Sequence, residues 1–314
     1  MSAPVDTLVI IPTYNGVNDL RRLIESLHSQ TLPFHLHIVD SGSTDGTAEL
    51  GSEHADRFVS IPTEEFNHGG TRQKMIHGAP GYKTYVFLTQ DAYLTHPRSL
   101  ELLIQPMQND PEIGAACGRQ LPHHDANPLA QHARHFNYPA SSSVTRYDPR
   151  RLGVKTAFMS NSFAAYRATA LRESGGFPTH VILSEDMYVA ARMLLKGWKV
   201  AYVAEAECRH SHNYTAVEQF RRYFDIGVFH AREFWIQQHF GGAGGEGLRY
   251  VKSELSFLGL SGIHCWPVSL AHNILKLLGY KLGKCDAILP KCIKQRLSMH
   301  RGFWLSKNES LENR

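Results

Sequence analysis

The sequence predicts an α/β protein with a doubly wound, mostly parallel sheet and a helical extension at its C-terminal end. Short apolar runs alternate with amphipathic stretches over the first third of the chain, the pattern of strand-helix units laid side by side. Several of these runs end abruptly on a polar or charged residue, as a buried parallel strand does when it delivers one side chain to the carboxyl edge of a sheet. From Gly241 onward the alternation gives way to basic, leucine-containing segments. The expected division is a catalytic-type α/β domain over residues 1–240 and an extension over 241–314. With 314 residues, 42% hydrophobic and 20% charged, the chain has room for this core.

Residues 7–12 form the first expected strand, stopped by Pro12, and Asn18 is expected to cap a helix with Leu20, Leu23, Ile24 and Leu27 on one face. A second strand over 36–40 leads into a turn over 41–47, whose small residues let backbone amides approach a ligand. A third strand over 57–61 precedes a loop over 66–72 and then a helix. The fourth strand runs from Tyr85 to Thr89, Gln90, Asp91 and Ala92, and places a carboxylate at the edge where open α/β sheets bind ligands. Asp91 also fits a helix N-cap, because Pro97 soon opens another helix.

A helix over 99–108 and a strand over 113–121 come next. The segment 122–151, rich in His, Asn, Pro and Ser, shows no period and is expected to be irregular and functional. Residues 158–166 read as a strand carrying Asn161 toward a site, followed by a short helix that ends at Gly175 and Gly176. Ser184, Glu185 and Asp186 open a helix whose apolar face is Met187, Ala190, Ala191 and Leu194. A strand over 198–205, the pair His210 and His212, and a long aromatic-rich helix from Thr215 complete the first part. Residues 241–245 read as a hinge.

Composition excludes several classes. The net charge of +4 is concentrated after Gly241, where eleven Lys/Arg face five Asp/Glu, against 22 and 24 before it. A nucleic-acid binder carries basic groups interleaved with aromatics on its folded domain, so no nucleic-acid partner is expected. Cys117, Cys208, Cys265, Cys285 and Cys292 are scattered, which indicates neither a disulfide framework nor a zinc site. No basic-then-apolar leader precedes Thr7, so a reducing cytoplasm is the expected location.

Pro12, Thr13, Tyr14 and Asn15 after the first strand, Asp40 with its serine-rich turn, Thr89 to Asp91, and Glu185 with Asp186 at a helix start together resemble the inverting family 2 glycosyltransferases of the GT-A fold, a Rossmann-like architecture. The loop with Phe66, Asn67, His68, Gly69, Gly70, Thr71 and Arg72 is similar to that of the rhamnosyltransferases of this family, which use dTDP-L-rhamnose. The resemblance covers about residues 7–235. It implies a nucleotide-sugar site in which Pro12, Thr13, Tyr14 and Asn15 line the nucleoside pocket. Asp40, with Ser41 and Ser43, would accept from the base imide; the alternative is an Asp40 that simply caps the turn. His68, Gly69 and Arg72 would meet the diphosphate or sugar, Arg72 having an ion pair as its alternative. Gln90 and Ala92 flank Asp91, and Asn161 and Glu185 would lie toward the acceptor or sugar.

The same resemblance implies a divalent metal, magnesium or manganese, held by Asp91 and by His210, with His212 as a near alternative. Thr89 stands where the common Asp-x-Asp pattern has its first acid, which leaves a single carboxylate. Asp186 would be the general base that takes the acceptor hydroxyl's proton, kept ionised by its place at a helix start. The acceptor would be a growing bacterial surface glycan, lipid-linked or free. A UDP-sugar donor and a non-catalytic nucleotide-sugar-binding protein are the alternatives.

Between Lys276 and Arg301, seven Lys/Arg face Asp286 alone and are interleaved with Ile274, Leu277, Leu278, Leu282, Ile288, Leu289 and Ile293. Such a segment can dock peripherally on an anionic membrane surface, here the inner face of the plasma membrane. The alternative is a helical pair that packs its leucines on the catalytic domain.

Overall fold

A computed structural model describes residues 5–149, 153–242 and 245–305, so small parts of the expected irregular segment, the expected hinge and the end of the tail lie outside the described residues. The chain begins β1 (Thr7–Thr13), α1 (Val17–His28), β2 (His35–Asp40), α2 (Thr47–His54), β3 (Arg57–Ser60), α3 (His68–His77) and β4 (Thr84–Leu88). It continues through β5 (Tyr93–Leu94), α4 (Ser99–Asn109), β6 (Ile113–Leu121), α5 (Pro128–Asn137), β7 (Ser143–Thr145) and β8 (Phe163–Arg167). Then come α6 (Ala168–Glu173), α7 (Glu185–Leu195), β9 (Lys199–Arg209), α8 (Ala216–Arg232), α9 (Phe234–Phe240), α10 (Glu246–Leu258), α11 (Trp266–Lys284) and α12 (Lys291–Leu297).

One sheet runs in the order β3-β2-β1-β4-β8-β6-β9-β5, with β7 also on β9. Its first half is parallel, as expected. In the second half β8 lies antiparallel between β4 and β6, while β9 is parallel to β6 but antiparallel to β5 and β7. The sheet is therefore mixed. A parallel neighbour needs a crossover over a sheet face, and the helix between β6 and β8, α5, packs against α10 and β6 instead.

Alternation along the central strands explains the two cores. Leu8 and Ile10 of β1, with Tyr85 and Phe87 of β4, point toward Met75, Leu171, Val189, Met193 and Phe224 of α3, α6, α7 and α8. Val9, Ile11, Val86 and Leu88 point the other way, onto Leu20, Leu23, Leu50, Leu100 and Leu103 of α1, α2 and α4. Each fully buried side chain of this size contributes about 1.5–3 kcal/mol.

Local signals differ from expectation at several points. α1 starts at Val17, not after Asn18, and its first free amides are met from the neighbouring loop: Gly16 N donates to Thr47 Oγ1 (2.9 Å) and Val17 N to Asp45 Oδ2 (3.2 Å). The expected loop over 66–72 is mostly helix, because Asn67 accepts from Gly70 N (2.7 Å) and starts α3 at His68. The segment expected to be irregular holds α5, capped by Asn127. The aromatic helix ends at Arg232, before the glycines.

In the tail, α11 packs on α8 through small residues. A Cβ on Gly227 would meet Tyr280 O at 2.3 Å, and one on Gly283 would meet Phe224 O at 2.0 Å, so the two backbones are nearly in contact. This reverses the expected packing alternative. Ser269, His272, Gly279 and Gly283 face inward, while Leu270, Ile274, Leu277 and Leu278 are 46–57% exposed. Among the described residues no helix is long and apolar enough to cross a membrane.

Candidate active site

A cleft of about 910 Å³ opens at the carboxyl ends of β1, β2 and β4. Pro12, Thr13, Tyr14, Ser41, His68, Arg72, Gln90 and Asp91 line it, as the sequence led us to expect. The buried Ser41 Oγ has no hydrogen-bond partner, a polar atom left for a ligand. The opposite wall comes from the tail: Met299, His300, Arg301, Gly302 and Phe303. Asp225 on α8 pins that segment by accepting from Met299 N (2.9 Å) and His300 N (3.1 Å). His300 Nδ1 faces His68 Nε2 at 3.3 Å, and burial holds both imidazoles in the neutral form.

Other expected donor residues, Asp40, Asn15 and Ala92, are not part of that lining, and Gln90 braces it. Asp40 is 1% exposed, and its oxygens accept from Thr13 Oγ1, Gly42 N, Ser43 N and Ser43 Oγ at 2.5–3.0 Å. It caps the turn. Asn15, at φ 42°, accepts from Thr44 N and donates its own amide to Ser43, which ties the first two loops together. Gln90 clasps the Tyr14 backbone from both sides, donating to its carbonyl (2.9 Å) and accepting from its amide (2.8 Å). Ala92 is fully buried.

Arg72, which lines the cleft, and Gly69 also have partners within the protein. Arg72, 3% exposed, pairs with Glu185 Oε1 at 3.2 Å and donates to His68 O. A Cβ on Gly69 would lie 1.8 Å from Pro178 O, so the glycine permits close approach of this backbone. Asn161 joins the same buried network: its Nδ2 donates to Glu185 Oε1 (2.8 Å) and its Oδ1 accepts from Tyr166 OH (2.7 Å). Glu185 and Asn161 therefore fix the first turn of α7.

That turn carries Asp186, whose Oδ2 accepts from Asn161 N at 3.0 Å. Ser184 before it sits at φ 59°, a left-handed conformation that costs a non-glycine residue about 1 kcal/mol. Burial, and then the Glu185 carboxylate beside it, push the Asp186 carboxyl up to about 7 against the pull of two backbone amides and Arg72. The expected dipole effect is thus outweighed, and burial beside Glu185 favours the protonated form of Asp186.

Asp91, His210 and His212 converge at the cleft mouth, with ligand atoms within 4.8 Å of one another. His210 Nε2 lies 3.4 Å and His212 Nδ1 3.7 Å from Asp91 Oδ2. The tautomer of His210 follows from its neighbours. Arg134 Nη1 can only donate, and it reaches Gln120 Oε1 at 2.6 Å, so that oxygen is an acceptor and His210 Nδ1, 2.8 Å away, must donate to it. Gln120 Nε2 meanwhile donates to Ser160 Oγ (2.8 Å). His210 Nε2 then faces the Asp91 carboxylate, an arrangement that requires a proton or a cation between them. Burial holds the Asp91 carboxyl up, but the facing His210 and His212 outweigh it and keep it well below the usual range; burial and His210 lower His212 to about 3. One carboxylate and two imidazoles fit a divalent cation.

Gln120, Arg134 and the 299–303 segment went unpredicted. A glutamine inside the apolar run 113–121 is the one local signal; the others depend on long-range packing.

Residues 8–175 match the family model for glycosyl transferase family 2. The chain is 50% identical over 300 residues, 94% of its own length and 95% of the relative's, to the O-antigen chain rhamnosyltransferase WbaN of Salmonella anatum. It is 49% identical over the same shares to RfbN of Salmonella typhimurium, also an O-antigen chain rhamnosyltransferase. Its fold superposes with TM-score 0.54 and 17% identity on the mannosyltransferase PcManGT of Pyrobaculum calidifontis, solved with GDP-Man and Mn2+, over 96% of this chain and 85% of that one. Residues 1–349 of S. aureus TarS, solved with UDP-GlcNAc, match with TM-score 0.52 and 13% identity over 90% and 91%. The architecture is the GT-A fold, and the chain belongs to glycosyl transferase family 2.

Proposed function

We propose that the protein transfers L-rhamnose, with inversion, from dTDP-L-rhamnose to a hydroxyl of a growing O-antigen-type glycan. The likeness to two O-antigen rhamnosyltransferases along nearly the whole chain carries this reading. The cleft supports it, because its strand-end position, unpartnered Ser41 hydroxyl and Asp91 at the mouth suit a nucleoside diphosphate. Asp91, His210 and His212 would hold a divalent cation, which would supply charge stabilisation to the departing diphosphate, and their two nitrogen ligands would favour manganese over magnesium. Asp186 takes the acceptor's proton. Gln120 keeps the His210 lone pair turned outward, and the Arg72–Glu185–Asn161 network holds Asp186 in place.

Thermal unfolding in the presence of dTDP, UDP or GDP, each with and without Mn2+, tests the donor, because a ligand bound only to the folded state raises its stability. The largest rise is expected for dTDP with Mn2+. A larger rise with UDP would move the donor to a UDP-sugar.

The exposed stripe on α11 supports peripheral docking on an anionic membrane. Leu270, Ile274, Leu277, Leu278 and Leu282 face outward, and the exposed Lys281 and Lys284 stand at the end of the stripe. Each cation near anionic lipid contributes on the order of 1 kcal/mol. In sedimentation with phosphatidylglycerol vesicles, binding is expected to weaken with salt and to be lost in Leu277→Ser/Leu278→Ser. Equal binding by that variant would sink the docking.

A further inference from the structure

A second pocket, of about 170 Å³, lies where α5, α8, α10 and α11 meet. Arg134, Arg222 and Lys276 line it from three different helices, together with His212, His272 and Tyr250. Among the described residues none of these three cations lies within ion-pair distance of a carboxylate. The buried Nε of Arg134 has no hydrogen-bond partner at all. The Lys276 ammonium sits 4.4 Å over the Tyr250 ring with its Nζ 3.4 Å from the phenol, and burial lowers its pKa. The Glu254 carboxylate acts on Lys276 from beyond ion-pair distance and accepts from Ser269 Oγ (2.5 Å) and Asn273 Nδ2 (2.6 Å). Three cations facing one carboxylate leave an excess of buried positive charge, which is unfavourable unless an anion joins them.

The pocket's place identifies whose anion it is. His212 lines it and also faces Asp91, so it adjoins the metal cluster while sharing no wall with the nucleotide cleft. Arg222 acts on both sides, its charge reaching His212 and also His68 and His300. The donor's diphosphate belongs at Asp91, so a second phosphate belongs to the other substrate. α11 gives Lys276 and His272 to the pocket and its leucine stripe to the outside, so one molecule with a phosphate head and a lipid tail meets both.

We propose that this pocket binds the phosphate group of a lipid-linked acceptor, with Arg134, Arg222 and Lys276 as its counter-charges. The identity of the ligand as acceptor rests on the transferase reading; the phosphate chemistry does not. The test uses full-length protein saturated with dTDP and Mn2+, so that the nucleotide cleft is filled. Farnesyl phosphate, farnesol and inorganic phosphate are then titrated calorimetrically against wild type, Arg222→Gln, Arg222→Lys and Lys276→Gln. Farnesyl phosphate is expected to bind at least tenfold more tightly than farnesol, to lose tenfold or more in either Gln variant, and to recover part of that in Arg222→Lys. A thermal unfolding midpoint within a few degrees of wild type in each variant controls for folding. Equal binding of farnesyl phosphate by the Gln variants, or no preference over farnesol, overturns the pocket. Inorganic phosphate binding as tightly as farnesyl phosphate overturns the assignment to a lipid-linked acceptor. Because the titration needs no turnover, its failure leaves the transferase reading untouched, and that reading fails separately if wild type does not hydrolyse or transfer from dTDP-rhamnose.

Discussion

Asp186→Asn is expected to lower transfer by roughly a hundredfold or more at pH 8 while leaving dTDP affinity nearly unchanged, because the loss is confined to general-base help. Asn keeps an oxygen for the Asn161 amide (3.0 Å from Asp186 Oδ2), so the first turn of α7 retains its shape. The pH profile adds a second signature. With its carboxyl raised to about 7 by burial and Glu185, wild type gains activity as pH climbs through neutrality and Asp186 ionises, whereas the variant is low throughout. The sign for stability is opposite. A folded pKa above the unfolded value of about 3.9 gives stability that is complete in acid and is lost as pH rises through about 7. The variant should therefore gain on wild type in urea denaturation between pH 5 and pH 8. Transfer within a few-fold of wild type would remove Asp186 from the mechanism.

Asp91→Ala is expected to abolish the strengthening of dTDP binding by Mn2+ and to reduce transfer to the level seen in excess EDTA. The variant leaves two imidazoles and no anionic ligand, and removes the only carboxylate in the cluster. Gln120→Met provides the graded comparison. It keeps all three ligands but frees His210 Nδ1 and Arg134 from their shared acceptor, and loss of such an orienting contact typically costs 10–100-fold in metal affinity. Calorimetric titration of dTDP with and without Mn2+ reads both variants. Full activity of wild type in excess EDTA would show that the reaction needs no cation.

What the sequence made legible was local. Asp91 could be placed because an apolar run that stops on a carboxylate is how a strand presents one at a sheet edge, and Asp186 because two acids after a serine open a helix. The same reading left Arg72 and Asp40 open between a ligand and a partner within the protein, since each pattern fits both. The partners that the structure adds, Glu185 for Arg72 and Pro178 for Gly69, come from a distant stretch of chain. Burial of Asp186 was invisible for a related reason. Helix position is written in neighbouring residues, whereas desolvation depends on what the rest of the chain packs around them. The antiparallel β8 also escaped notice, because a short apolar strand carries no mark of its direction.

The wall of the nucleotide cleft built by Met299–Phe303 bears on how the protein is assembled during synthesis. His68 and His300 meet across 232 positions of sequence. The parallel half of the sheet rests on nearer pairings and can form while the chain is still emerging, but contacts of this span must wait for the far end of the chain. The nucleotide cleft is thus the earliest site to be outlined and the last to be enclosed. A nascent or proteolysed chain that stops before Met299 keeps the Asp91, His210 and His212 cluster yet lacks the wall that Met299–Phe303 give the cleft.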